Sequence, residues 1–169
     1  MKKLLVVVDM QNDFVTGSLA NEEAKKLISS MSEYISSWKD DVVFTRDTHG
    51  ENYLDTMEGK KLPVKHCIKG SAGWEIVPEL KAFSDGKKIF DKPSFGSVEL
   101  ATFIKDEAYE EITFIGVCTG ICVISNAVLA KAFSPEAEIK VVDNLCACVT
   151  CASHNTALET MKTLQIEVI

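Results

Sequence analysis

Lys3-Leu4-Leu5-Val6-Val7-Val8-Asp9 is a short run, apolar along its whole interior and rich in β-branched valine. A strand wetted on one face alternates apolar and polar side chains, whereas a strand covered on both faces has no reason to alternate. This run therefore reads as a buried strand of a parallel sheet. Asp41-Val42-Val43-Phe44-Thr45-Arg46 is a second run of the same kind. Between them, over residues 20–38, Ala24, Leu27, Ile28, Met31, Ile35 and Trp38 recur at spacings of three and four, which places them along one helical face.

The same strand–helix alternation continues to the end of the chain. Residues 88–90 read as a strand, 98–106 as a helix, 112–117 as a strand, 122–133 as a helix, 139–142 as a strand, 154–163 as a helix and 165–169 as a last strand. Apolar strands separated by helices predict an α/β fold, a three-layer α/β/α sandwich on a mainly parallel six-stranded sheet, Rossmann-like in plan. A length of 169 residues with 46% hydrophobic content suits one core, so residues 1–169 are expected to form a single domain. Residues 48–73 break the alternation, with Gly50, Gly59, Pro63, Gly70 and Gly73 in one long loop. Loops of that length in a compact domain are commonly functional, and His49 and His66 both fall in this one.

Charge and composition exclude several classes of function. A net charge of −7, a pI near 5.0 and scattered lysines supply no basic field for a phosphate backbone, so no nucleic-acid partner is expected. The apolar run at residues 4–8 is too short to span a bilayer and is not followed by a signal-length core, so no membrane is expected and the default location is the cytoplasm. In a reducing compartment the six cysteines would be buried small residues, metal ligands or nucleophiles rather than a disulfide framework.

In an open parallel sheet, ligands bind beyond the carboxyl ends of the strands. Asp9, Asp47, Lys92 and the turn 116–122 all follow directly on predicted strands. Cys122 comes after Gly116-Val117-Cys118-Thr119-Gly120-Ile121, a glycine-containing junction leading into an apolar helix. Its sulfur should lie near a helix N-terminus, where free N–H groups and a nearby Lys92 ammonium favour thiolate. The alternative makes Cys122 an apolar filler and Asp9 a turn residue. Against it stands the cost of leaving an acid and a base unpaired beside a core. Cys146, Cys148 and Cys151 crowd one strand-to-helix junction. They read as small packing residues, with a thiolate zinc cluster or a redox-sensitive patch near the nucleophile as the functional alternatives.

Three stretches together resemble the motifs of the isochorismatase-like cysteine hydrolases, in their nicotinamidase-like branch: Leu5-Val6-Val7-Val8-Asp9-Met10-Gln11-Asn12-Asp13-Phe14, Asp91-Lys92-Pro93-Ser94-Phe95 and Gly116-Val117-Cys118-Thr119-Gly120-Ile121-Cys122-Val123. The resemblance extends to Val142-Asp143 and His154-Asn155-Thr156-Ala157-Leu158. It implies that Cys122 attacks an amide carbonyl to form a thioester, that Asp9 relays the protons and that Lys92 steadies the charged pair. It further implies an oxyanion hole from the backbone N–H groups of Cys118 and Cys122, after a cis peptide at Val117-Cys118. Gly120 departs from the pattern, since many relatives carry an aspartate there.

The resemblance also implies a divalent metal ion held by Asp47, His49 and His66, with Glu58 as a fourth candidate one residue away from the family's spacing. Such donors suit zinc first, and manganese or iron next. In nicotinamidases the ion is thought to receive the pyridine nitrogen, whereas isochorismatases proper lack both this site and the catalytic cysteine. Phe14 and Phe95 are candidates for stacking on a flat substrate, or else core residues. The leading expectation is hydrolysis of nicotinamide to nicotinate and ammonia, and the rival is another carboxamide, carbamoyl or ureido substrate. A non-catalytic metal- or redox-sensing protein is the reading from a different class. Many relatives associate as homo-oligomers, and the sequence sets no subunit number.

Overall fold

In the computed structural model, which describes residues 1–169, the apolar runs become strands β1 (Lys3–Val8), β2 (Asp41–Asp47), β3 (Ile89–Lys92), β4 (Glu111–Val117), β5 (Glu138–Ala147) and β6 (Glu167–Val168). The helices are α1 (Asn12–Val15), α2 (Glu22–Ser37), α3 (Met57–Lys61), α4 (Pro78–Ser84), α5 (Val98–Asp106), α6 (Ile124–Phe133) and α7 (Cys151–Thr163). All six strands lie in one sheet of order β3-β2-β1-β4-β5-β6, and every neighbouring pair is parallel. The chain builds outward from β1 to β3, then crosses to the other side of β1 to lay down β4. The carboxyl ends of β1 and β4 therefore flank the topological switch point, where such sheets bind ligands.

Strand geometry explains the missing alternation in β1. Successive side chains point to opposite faces, and both faces here are covered. Leu4, Val6 and Val8 pack in one core with Leu100, Ile104, Ala127 and Leu158 of α5, α6 and α7. Leu5 and Val7 pack in a second core with Ala24, Met31 and Ile35 of α2 and Leu80 of α4. Burying each such side chain fully contributes about 1.5–3 kcal/mol, so the central strand is held from both sides. None of the helices is long and apolar enough to cross a membrane.

Several boundaries differ from the sequence expectation for identifiable reasons. Helix α2 starts at Glu22 because the Asn21 side chain accepts hydrogen bonds from the backbone N–H groups of Glu23 and Ala24. Residues 48–73 are not a structureless loop: they hold helix α3 and 3-10 turns at Tyr53–Asp55 and Ala72–Trp74, each too short to display a helical period. Helix α4 was hidden in the same way, its one signal being Pro78 in the first turn. Strand β5 runs for ten residues rather than four. Phe114 pairs with Val141 but Gly116 pairs with Cys146, so β5 advances five residues while β4 advances two. The polar pair Asp143-Asn144 in that bulge interrupts the apolar run on which the shorter expectation rested.

Gly116 pairs with Val8 in the β1–β4 ladder, at the end nearest the switch point. It adopts φ +124°, and a Cβ there would collide with the carbonyl oxygen of Val8. No other residue type fits that position without moving one of the two strands that carry the site.

Candidate active site

Asp9, Lys92 and Cys122 come from three different strand ends and meet at the switch point. Lys92 Nζ lies 2.6 Å from Asp9 Oδ2, 3.4 Å from Cys122 Sγ and 3.1 Å from the carbonyl oxygen of Ser94. All three side chains are buried. The other Asp9 oxygen, Oδ1, accepts a 2.6 Å hydrogen bond from the Thr45 hydroxyl on β2. Cys122 sits in a π-helical turn, Thr119–Val123, that continues directly into α6. The helix thus begins three residues earlier than the sequence suggested, with its first turn wound wide, a form often found at functional sites. The Val117–Cys118 peptide ahead of it is cis.

The electrostatics differ from the thiolate expected at a helix N-terminus. Burial, then the nearby Asp9 charge, pushes the Cys122 thiol well above its ordinary pKa, and the Lys92 ammonium only partly offsets this. Burial also raises the Asp9 carboxyl against the pull of Lys92. Burial works against the Lys92 ammonium too, but the charges of Asp9, Cys122 and Asp47 hold it protonated far into the alkaline range. The resting arrangement is therefore a neutral thiol facing a buried carboxylate–ammonium pair. Its nucleophile must be deprotonated by its neighbour rather than standing ionised.

Asp47, His49, Glu58 and His66 bring one ligand atom each to within 4.8 Å of one another. His49 Nε2 lies 2.9 Å, and His66 Nε2 3.3 Å, from the same Asp47 oxygen, Oδ2. Glu58 Oε1 is 3.6 Å from His49 Nε2 and 3.8 Å from His66 Nε2. The fourth candidate thus joins the other three despite its offset spacing, because α3 turns its side chain back toward β2. His66 Nδ1 is 2.8 Å from the Val64 carbonyl oxygen, to which it donates, so Nε2 is the ring nitrogen turned toward Asp47 and the one that in a neutral ring carries the lone pair a cation needs. Asp47 Oδ1 is buried without a hydrogen bond, 3.6 Å from Lys92 Nζ. Burial raises the Asp47 carboxyl, but the two imidazoles and Lys92 outweigh it and hold the group well below the usual carboxylate range. Two carboxylates and two imidazoles converging in a largely buried volume fit a divalent cation well.

Both centres open on a cavity of about 680 Å³, lined by Phe14, Phe95, Asp47, Glu58, His66 and Cys122 among others. Phe14 is half-buried, with its ring 5.7 Å from that of His66, and Phe95 is 42% exposed. Both aromatics border the cavity, and Phe14 also packs against the core that contains Met10 and Val15. The lining contains Glu22 and Glu23 but no lysine or arginine.

Four supporting residues escaped the sequence reading. Thr45 orients Asp9. Gln11, fully buried, accepts from the Asp47 N–H at 2.7 Å and donates to the carbonyls of Asp47 and Trp74 at 2.9 and 2.8 Å, binding the ends of β1 and β2 to the loop. Asn126 donates to the Cys122 and Phe95 carbonyls at 2.7 and 3.1 Å and accepts from the Ser97 N–H at 2.9 Å. Asp13 accepts from the Cys67 N–H at 2.7 Å, anchoring the residue next to His66. Only Gln11 and Asp13 carried any signal, as polar residues inside the first motif.

A family model described as the isochorismatase domain matches residues 3–169. The isochorismatase family protein PncA of Bacillus subtilis is 30% identical, over 76% of this chain and 78% of its own length. The nicotinamidase of Saccharomyces cerevisiae is 26% identical, over 76% of this chain and 81% of its own length. Among solved structures, the pyrazinamidase of Pyrococcus horikoshii in complex with zinc superposes with a TM-score of 0.84 at 26% identity, covering 100% of this chain and 99% of that one.

Proposed function

This chain belongs to the isochorismatase family, and from that membership we propose that it is a cysteine amidohydrolase acting on a small planar primary amide, with nicotinamide as the first substrate to test. The observation that carries the reading is Lys92, which spans buried Asp9 at 2.6 Å and Cys122 at 3.4 Å, directly behind the cavity that Cys122 lines.

Asp9 takes the thiol proton as Cys122 Sγ bonds to the amide carbon, and the raised basicity of the buried carboxyl suits it to that transfer. The carbonyl oxygen gains charge, and the backbone N–H groups of Cys118 and Cys122 are the donors proposed to hold it. Asp9 then passes its proton to the nitrogen, the C–N bond breaks, and ammonia leaves a thioester on Cys122. Asp9 next draws a proton from water, whose oxygen bonds to the thioester carbon as the C–S bond breaks, and Asp9 returns that proton to the departing sulfur, giving the carboxylic acid and restoring the thiol. Lys92 stays protonated throughout and fixes Asp9 between the two sites.

Asp47, His49, His66 and Glu58 would hold the divalent ion, zinc first, with manganese or iron as the alternatives. When bound, the ion supplies a Lewis-acid anchor for a donor atom of the substrate, such as a ring nitrogen. Phe14 and Phe95 would flank the ring. A lining without cationic side chains disfavours a dicarboxylate such as isochorismate and suits a neutral amide.

The test is ammonia release from zinc-loaded protein given nicotinamide, against a Cys122→Ala control. Release no greater than that of the control would remove nicotinamide as substrate. The cavity volume supports a second reading, an amidase for a larger carboxamide, carbamoyl or ureido compound, because about 300–1,000 Å³ is the range of pockets that enclose drug-sized molecules. A panel of such compounds distinguishes the two.

A further inference from the structure

The cysteines outside the triad are not uniformly inert packing. We propose that Cys118 and Cys148 form a peroxide-sensitive pair that closes to a disulfide at the edge of the substrate cavity. Their sulfurs lie 3.1 Å apart. Val117 pairs with Ala147 at the last rung of the β4–β5 ladder, and Cys118 and Cys148 are the residues that leave the two strand ends. Strands in a ladder run about 4.8 Å apart. A disulfide needs a Cα separation of about 4.4–6.8 Å and an S–S bond of about 2.05 Å. The rung beside the two cysteines is within that range, and from 3.1 Å the sulfurs need to approach by about an ångström.

Access and reactivity assign the two roles. Cys148 lines a cleft of about 180 Å³, which it shares with Cys151 and His154, while Cys118 lines the substrate cavity. A Cβ at Gly120 would stand 3.6 Å from Cys148 Sγ, so the glycine lies directly against that sulfur. Burial disfavours a thiolate at Cys148, but hydrogen bonds from Ser153, Cys118 and the backbone of Gly120 and Val149 bring it below an ordinary thiol. Burial instead raises Cys118, Cys122 and Cys67, and holds Cys146 at about 12. Thiolates are the species that peroxides oxidise.

Cys148 thiolate therefore attacks hydrogen peroxide: an S–O bond forms, the O–O bond breaks, and sulfenic acid and hydroxide result. Cys118 sulfur then displaces the sulfenic oxygen, which leaves as water once it has taken up a proton. The net change is two thiols oxidised by two electrons and one peroxide reduced to two waters. The new bond ties the turn that carries Cys122 to the end of β5, and it is made without consuming the nucleophile.

The experiment treats the reduced full-length chain with a few equivalents of hydrogen peroxide, alkylates the remaining thiols and maps linkages by peptide fragmentation. The expected product is a Cys118–Cys148 link, reversed by dithiothreitol, with Cys122 still alkylatable after denaturation. Cys148→Ser should abolish the link, and Cys118→Ser should leave Cys148 as a sulfenic acid that dimedone traps. Oxidation of Cys122 ahead of Cys148, a Cys148–Cys151 link, or a pair still reduced under conditions that oxidise free glutathione would each overturn the proposal. None of these readouts depends on which amide the protein cleaves.

Discussion

Asp9 occupies the left-handed region of backbone space, at φ 50°, which side chains other than glycine seldom adopt. Held there at the end of β1, its carboxylate faces Lys92 on one side and Thr45 on the other. Two opposite effects of Asp9→Asn follow. Loss of the general base should lower kcat by about 10²–10⁴-fold, read as ammonia release. Removing the negative charge that raises the Cys122 thiol should at the same time speed its alkylation by iodoacetamide at neutral pH several-fold. If alkylation slowed in step with hydrolysis, Asp9 would be a structural prop rather than a proton acceptor. In the wild type, kcat/KM should rise with pH as Asp9 deprotonates, and because burial raises that carboxyl the acid limb should lie above the ordinary aspartate range, near 4. Asp9, Lys92 and Cys122 were legible because each lies within a few residues of the end of an apolar run. Thr45 and Asn126 were not, because a threonine in a strand or an asparagine in a helix acquires a partner only once two elements are paired.

The element carrying the nucleophile is a strand, a cis-peptide turn and a helix, and a single amide side chain fastens it to its neighbour. Asn126 joins the Cys122 carbonyl on one side to Phe95 and Ser97 on the other, so it sets the turn that bears Cys122 against the one that follows Lys92. Asn126→Ala removes these three hydrogen bonds, of which those to Cys122 and Ser97 are buried. It should destabilise by about 2–4 kcal/mol in a denaturant melt, with a fall in kcat that exceeds any change in KM. The loop between β2 and α4 works differently, because His49 reaches Asp47 from the segment after β2, Glu58 from α3 and His66 from the segment after α3. Glycine-rich sequence concealed that arrangement. Thr56 caps α3 through the Gly59 N–H at 3.0 Å, and a Cβ at Gly59 would collide with the Tyr53 carbonyl oxygen, so the residues that looked like breakers hold the loop's shape. Zinc at a hundredfold excess over its dissociation constant should stabilise the folded chain by about 2.7 kcal/mol. Thermal melts with and without chelator measure this, and His66→Ala should remove most of the difference.

Across the whole molecule, the amino ends of three strands are clamped as firmly as the carboxyl ends are arranged for chemistry. Glu111, buried at the start of β4, pairs with Lys3 of β1 at 3.1 Å and Lys140 of β5 at 3.0 Å. Burial raises its carboxyl, but hydrogen bonds from Lys140 and Lys3 outweigh it and leave the pKa below the ordinary glutamate value. A carboxyl depressed in the folded state contributes stability that is fully present above its unfolded pKa and is lost as pH falls through the folded one. The melting temperature should therefore drop as pH falls below the ordinary glutamate range, near 4.3, and Glu111→Gln should flatten that part of the profile. The sheet itself could be read from hydrophobic pattern, whereas strand order could not, because nothing local in β1 records which strands will flank it. That order has a temporal side. Lys3 aligns with Glu111, 108 residues further on, and Cys122 lies beyond that. During synthesis β1 cannot gain β4 as its neighbour until residues 111–117 have left the ribosome. A nascent or truncated polypeptide lacking β4 has neither the sulfur nor the cradle for it, so the reactive centre is assembled only when the sheet is completed across its middle.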